Sequence, residues 1–381
     1  MNKKIKSPLI ILVILVLILS LAFGCSSPEQ PIKIGFSGTL TGRLSELGVS
    51  GRNGVILAVE EVNNAGGING RTVELLTKDD KNDSDVAMVV DRELINEEVV
   101  AIIGHMTSTP SAEVAPLMNK EQMLMISPTA ATNSLTGLDD FFLRVFPANK
   151  PETDKLAEYA FKKLGVKRVV SAYDISNPTF TREWHNNFQT EFEALGGECV
   201  LKKPFDTRSV TSFLDITQEL ISVQPDAVVI SASAIDTAAI SQQLRKLNQD
   251  IPVISSTWAM TDDFLQYSGP AGEGVVFAHP LKVGNQHEEY LTFAEAYTAR
   301  FGNQPSFSAT FGYEAARILM EALASSDNHS SQALKDYIIE KHTFHGLQGD
   351  FVIDRFGDAV RDVFLITVRE GQFIRVEQDG K

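Results

Sequence analysis

From residue 32 to residue 255, short apolar runs alternate with longer amphipathic stretches, and few architectures accept that order. Runs at 32–36, 73–76, 99–103, 123–126 and 141–146 read as strands. Stretches at 48–64, 85–96 and 111–121 carry apolar residues at helical spacing, with Val55, Ala58, Val59 and Val62 on one face of the first. Strand–helix alternation of this kind implies parallel sheets with helices on both faces. The order restarts after Pro147-Ala148-Asn149. Helices are expected at 152–164, 181–195, 212–223 and 236–247, and strands at 168–173, 198–202, 227–231 and 253–255. A chain of 381 residues exceeds one hydrophobic core, so two doubly wound α/β units are expected, with no low-complexity linker between them. Helices at 288–301, 307–325 and 331–340 follow, with strands near 349–353 and 363–368. So few strands make no third domain, and these helices are expected to pack on the earlier sheets.

Residues 102–132 read IIGHMTSTPSAEVAPLMNKEQMLMISPTAAT. Two neighbouring strands there each end in a loop of small and hydroxylic residues. The first holds Thr107, Ser108 and Thr109, with Thr109 the expected N-cap ahead of Pro110. The second holds Thr129, Ala130, Ala131 and Thr132. In open α/β sheets ligands sit outside the carboxyl ends of strands, and helix-start amides favour an anion. The loops therefore fit a carboxylate-sized pocket, although ordinary strand–helix turns have the same composition.

Residues 1–24 read as an export signal. Lys3, Lys4 and Lys6 precede an apolar run from Leu9 to Phe23 that is short for a membrane span. Gly24-Cys25 after that run resembles a bacterial lipobox, departing from it in Ala22 three residues before the cysteine. Cys25 is the expected lipidation site, residues 25–30 a tether, and an uncleaved N-terminal anchor the alternative. Removing residues 1–24 leaves 31 Lys and Arg against 49 Asp and Glu, a formal charge of −18. That balance disfavours nucleic acid as a partner. With Cys25 acylated, Cys199 stands alone and no intramolecular disulfide is expected.

No GxSxG, GxxxxGK or CxxC motif occurs, and no carboxylate pair is spaced as in a glycosidase. His342 and His345 lack a companion Glu or Cys cluster, so neither a metal nor a cofactor is expected, nor catalysis.

Several blocks together resemble the leucine/isoleucine/valine-binding proteins of ABC transporters, extracellular solute receptors of the type I periplasmic-binding fold. They are IGFSGTLTG at 34–42, NNAGGING at 63–70, IGH at 103–105, LMISPTAAT at 124–132, FGYEAA at 311–316 and FVIDRFGD at 351–358. The resemblance implies two Rossmann-like lobes joined by three hinge crossovers. Residues 31–147 and 281–353 would form lobe I, and 148–280 and 354–381 lobe II. It also implies an exported receptor, held at the cell envelope by lipid, that serves ABC permease subunits or, alternatively, a sensory partner.

Transferred residue by residue, the resemblance places Ser108 on the ligand carboxylate with Thr109 beside it. The family's next Ala and Thr positions fall on Thr129 and Ala131, so Thr132 is the candidate substitute and Ala130 lies between. In the second lobe the resemblance implies an aromatic near Phe180, while the family's Tyr and Glu fall on Ser233 and Thr257, beside Trp258. The Tyr and Glu that would hold an α-ammonium are thus not in register. Asp236 is the candidate replacement, or else an N-cap. Trp258 is expected as a ligand wall. The expected ligand is a small carboxylate, a branched-chain or other hydrophobic amino acid, with an aromatic or aliphatic acid or a small amide as the alternative.

Overall fold

The computed structural model describes residues 30–247, 250–325 and 327–376. Cys25 and the segment before it lie outside the described residues. Among those described, no helix is long and apolar enough to cross a membrane.

Strands β1 (Ile32–Gly38), β2 (Val73–Asp79), β3 (Ile102–Ile103), β4 (Met125–Ser127) and β5 (Phe142–Arg144) form a parallel sheet in the order β2-β1-β3-β4-β5. Helices α1 (Ser45–Asn64), α2 (Ser84–Asn96) and α3 (Ser108–Glu121) connect the first four. The chain then enters a second sheet. Helix α4 (Lys150–Glu158) continues as a π turn at Tyr159–Lys163 and leads to β6 (Arg168–Asp174). There follow α5 (Pro178–Ala194), β7 (Glu198–Phe205), α6 (Phe213–Ile221), β8 (Ala227–Ser231), α7 (Ala234–Lys246), β9 (Val253–Ser255), α8 (Asp262–Ser268) and β10 (Val276–His279).

Helices α9 (Glu288–Phe301), α10 (Phe307–Ala324) and α11 (Ser331–Lys341) return to the first sheet, with α9 and α10 both packing on α1. A small antiparallel sheet follows, built from β11 (Thr343–Gly346), β12 (Gly349–Ile353) and β13 (Ala359–Val360). Finally β14 (Phe364–Arg369) and β15 (Gln372–Arg375) join the second sheet, whose order is β15-β14-β10-β9-β8-β6-β7. Strands β6 to β10 are parallel, and β14 runs antiparallel to β10. The architecture is two doubly wound α/β lobes, as expected from the alternation of strands and helices.

The late helices have no sheet of their own because α10 completes the first lobe. A Cβ on Gly54 of α1 would stand 2.1 Å from the carbonyl oxygen of Ala309, and one on Gly312 of α10 would stand 2.3 Å from that of Gly51. Only glycine at these positions allows the two helix backbones to touch. Both sheets are buried on both faces, which is why AVVIS at 227–231 has no polar alternation.

One buried ion pair ties β5 to the late chain. The Arg144 guanidinium, fully buried, donates from Nε to Asp358 Oδ1 at 2.8 Å, from Nη1 to the Thr132 carbonyl at 2.7 Å and from Nη2 to the Thr136 hydroxyl at 2.6 Å. Burial pulls its pKa down, against the opposing pull of Asp358.

Candidate ligand site between the lobes

The carboxyl ends of both sheets face one another, and their loops enclose a cavity with about 300 Å³ of empty space including its mouth. Lobe I contributes Met106, Thr107 and Ser108 after β3, Thr129 after β4 and Phe146 after β5, with Leu47 of α1 and Phe307 of α10. Lobe II contributes Asn177 and Phe180 after β6, and Thr257 and Trp258 after β9.

The lobe I wall is rigid because its loops are bonded to each other. His105 is wholly buried between Asp80 Oδ2 at 2.7 Å and Asp91 Oδ2 at 2.9 Å. Burial opposes a charged ring, but the two carboxylates outweigh it and push the pKa up to about 10. Ser127 donates to the His105 carbonyl at 2.7 Å, and Thr129 donates to the Met106 carbonyl at 2.5 Å. Ser108 Oγ accepts from the Ala131 N–H at 3.1 Å, which leaves its hydroxyl proton free to donate. Helix α3 starts at Ser108 with no cap from its Thr107 side chain; the Thr109 N–H is taken by Asn177 and Pro110 has none, so of its first three residues Ser108 alone keeps an amide with no bond among the described residues. The N-cap position is Thr107, two residues before the expected Thr109; Pro110 sits inside the first turn, where no N–H is required.

The remaining walls are largely aromatic, with Asn177 and Thr257 as their polar members. Trp258 and Phe180 meet edge to face at 6.2 Å between ring centroids. Phe146 and Phe307 pack on His279 at 5.7 and 4.9 Å. Burial pushes the pKa of that imidazole down to about 3, so the ring behind the wall is neutral. The Thr257 N–H donates to Glu152 Oε1 at 2.8 Å, and Trp184 Nε1 donates to the same oxygen at 2.7 Å. Burial raises the Glu152 carboxyl to about 8 despite these donors. Thr257 Oγ1 has no partner among the described residues.

Of the residues anticipated from sequence, Ser108, Thr129, Phe180, Thr257 and Trp258 line this cavity. The others stand outside the lining. Ala130 and Ala131 are buried, with amides bonded to Ser127 and Ser108. Thr132 caps a short turn and donates to Glu183 Oε2 at 2.7 Å. Thr109 bonds across the cleft to Asn177. Ser233 is the N-cap of α7, accepting from the Asp236 N–H, so Asp236 is not the cap.

Nor is Asp236 turned into the cavity. Its carboxylate is buried and accepts from Arg43 Nη2 at 2.5 Å and Nε at 3.2 Å. Arg43, in the loop after β1, also donates to Thr207 at 3.1 Å. The strongest available cation therefore occupies Asp236, and among the described residues no charged side chain lines the cavity. Met106, Phe146, Asn177 and Phe307 were missed from sequence. Asn177-Pro178 does carry a helix-start signal after a strand; Phe307 follows β1 by about 270 residues and has no local signal.

A family model described as periplasmic binding protein matches residues 31–372. The Leucine-, isoleucine-, valine-, threonine-, and alanine-binding protein of Pseudomonas aeruginosa is 33% identical over 111 residues. That match spans 29% of this chain and 30% of the relative's length. Among solved structures, the branched-chain amino acid transporter substrate binding protein LivJ from Streptococcus pneumoniae, in complex with isoleucine, superposes with a TM-score of 0.82 at 23% identity. The alignment covers 91% of this chain and 100% of that one. A solute binding protein of an ABC transporter from Rhodopseudomonas palustris BisB5, in complex with 3,4-dihydroxy benzoic acid, gives 0.81 at 25% identity, covering 91% and 96%.

Proposed function

Because the chain belongs to the periplasmic binding protein family, we propose that it is an exported receptor, not an enzyme, that closes two lobes on a small carboxylate and delivers it to an ABC importer. The observation that carries this reading is the polarity of the cavity. Its lobe I wall offers the Ser108 hydroxyl and the Ser108 amide at the start of α3, and four aromatic side chains stand beside the polar Asn177 and Thr257 of lobe II. Hydroxyls and amides suit an anionic group, while Trp258, Phe180, Phe146 and Phe307 suit an apolar body. On this reading Ser108, Thr129, Phe180, Thr257 and Trp258 touch the ligand, and Ala131 and Thr132 hold the loops that present it.

The same lining bears on the amine. An α-amino acid brings an ammonium that needs an anion once desolvated, and Asp236 is engaged by Arg43. This favours an aromatic or aliphatic acid, as in the Rhodopseudomonas complex, over a branched-chain amino acid, as in the Streptococcus one.

A thermal-shift panel of aromatic acids, aliphatic acids and hydrophobic amino acids tests the choice. A ligand at a hundred times its Kd adds about 2.7 kcal/mol of stability. Acids are expected to raise the melting temperature more than amino acids of equal size. Ser108→Ala should weaken the best ligand by roughly ten- to a hundredfold, since a hydrogen bond to a charged group contributes about 1.5–3 kcal/mol. Wild-type affinity in Ser108→Ala would remove the site from this cleft, and a response to leucine alone would restore the amino-acid reading.

The basic–apolar–Gly24-Cys25 segment motivates the proposal that Cys25 carries the lipid anchor. Cys25→Ser should release the protein from the membrane fraction or leave its signal uncleaved. Unchanged processing and retention would rule the anchor out.

A further inference from the structure

Asn177 occupies the N-cap position of α5, immediately before Pro178, where an asparagine side chain ordinarily turns back to accept from an amide of the first turn. Here it makes no such bond. It reaches across the cleft instead. Its Oδ1 accepts from the Thr109 backbone N–H at 3.0 Å and from the Thr109 hydroxyl at 2.9 Å. The Thr109 oxygen in turn accepts from the Thr179 N–H at 3.1 Å, so the contact is braced from both lobes. A backbone N–H can only donate, which fixes the end of the amide facing Thr109 as oxygen.

The Nδ2 group is thereby turned away from Thr109. It has no hydrogen bond among the described residues, and it belongs to a side chain that lines the cavity and is 3% exposed. The facing wall also offers a donor, because Ser108 accepts from Ala131 and keeps its hydroxyl proton to give. Ser108 from one lobe and Asn177 from the other thus both line the cavity with a donor that no described residue uses.

We propose that Asn177 is a ligand contact that selects an anionic oxygen. Its Nδ2 donates to the carboxylate that Ser108 also holds, while its Oδ1 fastens Thr109, so that recognition and lobe closure meet in one side chain. This rests on the carboxylate reading above. A donor at this position accepts no proton from an ammonium, so it also sets which end of a ligand can lie here.

Asn177→Asp tests it. The variant is isosteric and keeps an oxygen for Thr109, but it puts an anionic oxygen where Nδ2 stood. The probes are benzoate and leucine, each paired with its amide, benzamide and leucinamide, titrated calorimetrically into wild type and variant. The acid that binds wild type is expected to lose about a hundredfold or more, and its amide less than about tenfold. Parallel losses, as a residue that only fastens the lobes would give, overturn the proposal, as does no loss. Should Asn177→Asp melt well below wild type, Asn177→Ser gives the same comparison, since it can cap α5 but has no donor reaching as far as Nδ2. Ser108→Ala separates this from the parent reading. If it weakens the acid while Asn177→Asp leaves the acid-to-amide ratio unchanged, the carboxylate reading stands and the role of Asn177 falls. If neither acid binds wild type, both fall.

Discussion

Arg43→Ala is expected to weaken capture of any ligand by roughly thirty- to a thousandfold, mainly through a faster off-rate. Removing one partner of a buried, hydrogen-bonded charge pair costs about 2–5 kcal/mol. The lower part of that range applies here because the Arg43 side chain is 43% exposed, whereas the Asp236 side chain is 0% exposed. The pair joins the loop after β1 in one lobe to α7 in the other, so its loss falls on the closed form. An open cleft lets water reach Asp236, and the melting temperature of the unliganded protein should barely change. Arg43→Lys should lose part of the effect, since one ammonium cannot reproduce two guanidinium bonds. Stopped-flow dissociation of a bound acid measures it. A wild-type off-rate in Arg43→Ala would mean that the pair does not hold the lobes together. The pair also means that Asp236→Asn weakens acids and amino acids alike, so that substitution does not report on a ligand amine.

The second large effect comes from the pair that joins β5 to the segment before β13, and it needs no ligand. Asp358→Ala is expected to cost about 3–5 kcal/mol of folding stability, because it leaves the Arg144 guanidinium buried without its anion. Arg144 would keep its bonds to Thr132 and Thr136, both neutral. Arg144→Met combined with Asp358→Leu should recover much of the loss, since two apolar groups need no pairing. Chemical denaturation of the unliganded proteins checks both. If Asp358→Ala unfolds at the wild-type denaturant concentration, the pair contributes nothing. The contrast with Arg43 is in where each loss appears, in folding for Asp358 and in dissociation for Arg43.

The periodic parts of the fold were legible in the sequence. AVVIS at 227–231 and VIS at 253–255 are apolar runs bounded by polar residues, and both are strands at those bounds. Helices α9 and α10 have strong helical spacing and start where expected. Strands β10, β11, β13 and β15 were not anticipated. Each has two to four residues, too few for a period to register, and β10 follows the glycine-rich turn at 269–274. In the site, the hydroxylic loops after β3 and β4 were readable because each follows directly on a short apolar run. Asp236 shows the limit. Its local signals are those of a residue at a helix start, and its partner lies 193 residues earlier. No local pattern could choose between an ammonium, a cap and Arg43.

The backbone contact between α1 and α10 sets an order of assembly. Residues 45–64 and 307–324 share it, so about 240 residues of chain must be in place before α1 has its partner. Strands β6 to β10, by contrast, are joined by short consecutive connections and pair mostly with near neighbours in sequence. In a chain made from its amino end, the middle third can close its parallel sheet while the first third still waits. During that interval the glycine face of α1 is uncovered, and an apolar surface of this kind is where chains of this length associate wrongly or recruit chaperones. The first sheet therefore stays open on its α1 side until α10 has been made, and the second sheet gains β14 and β15 only after that.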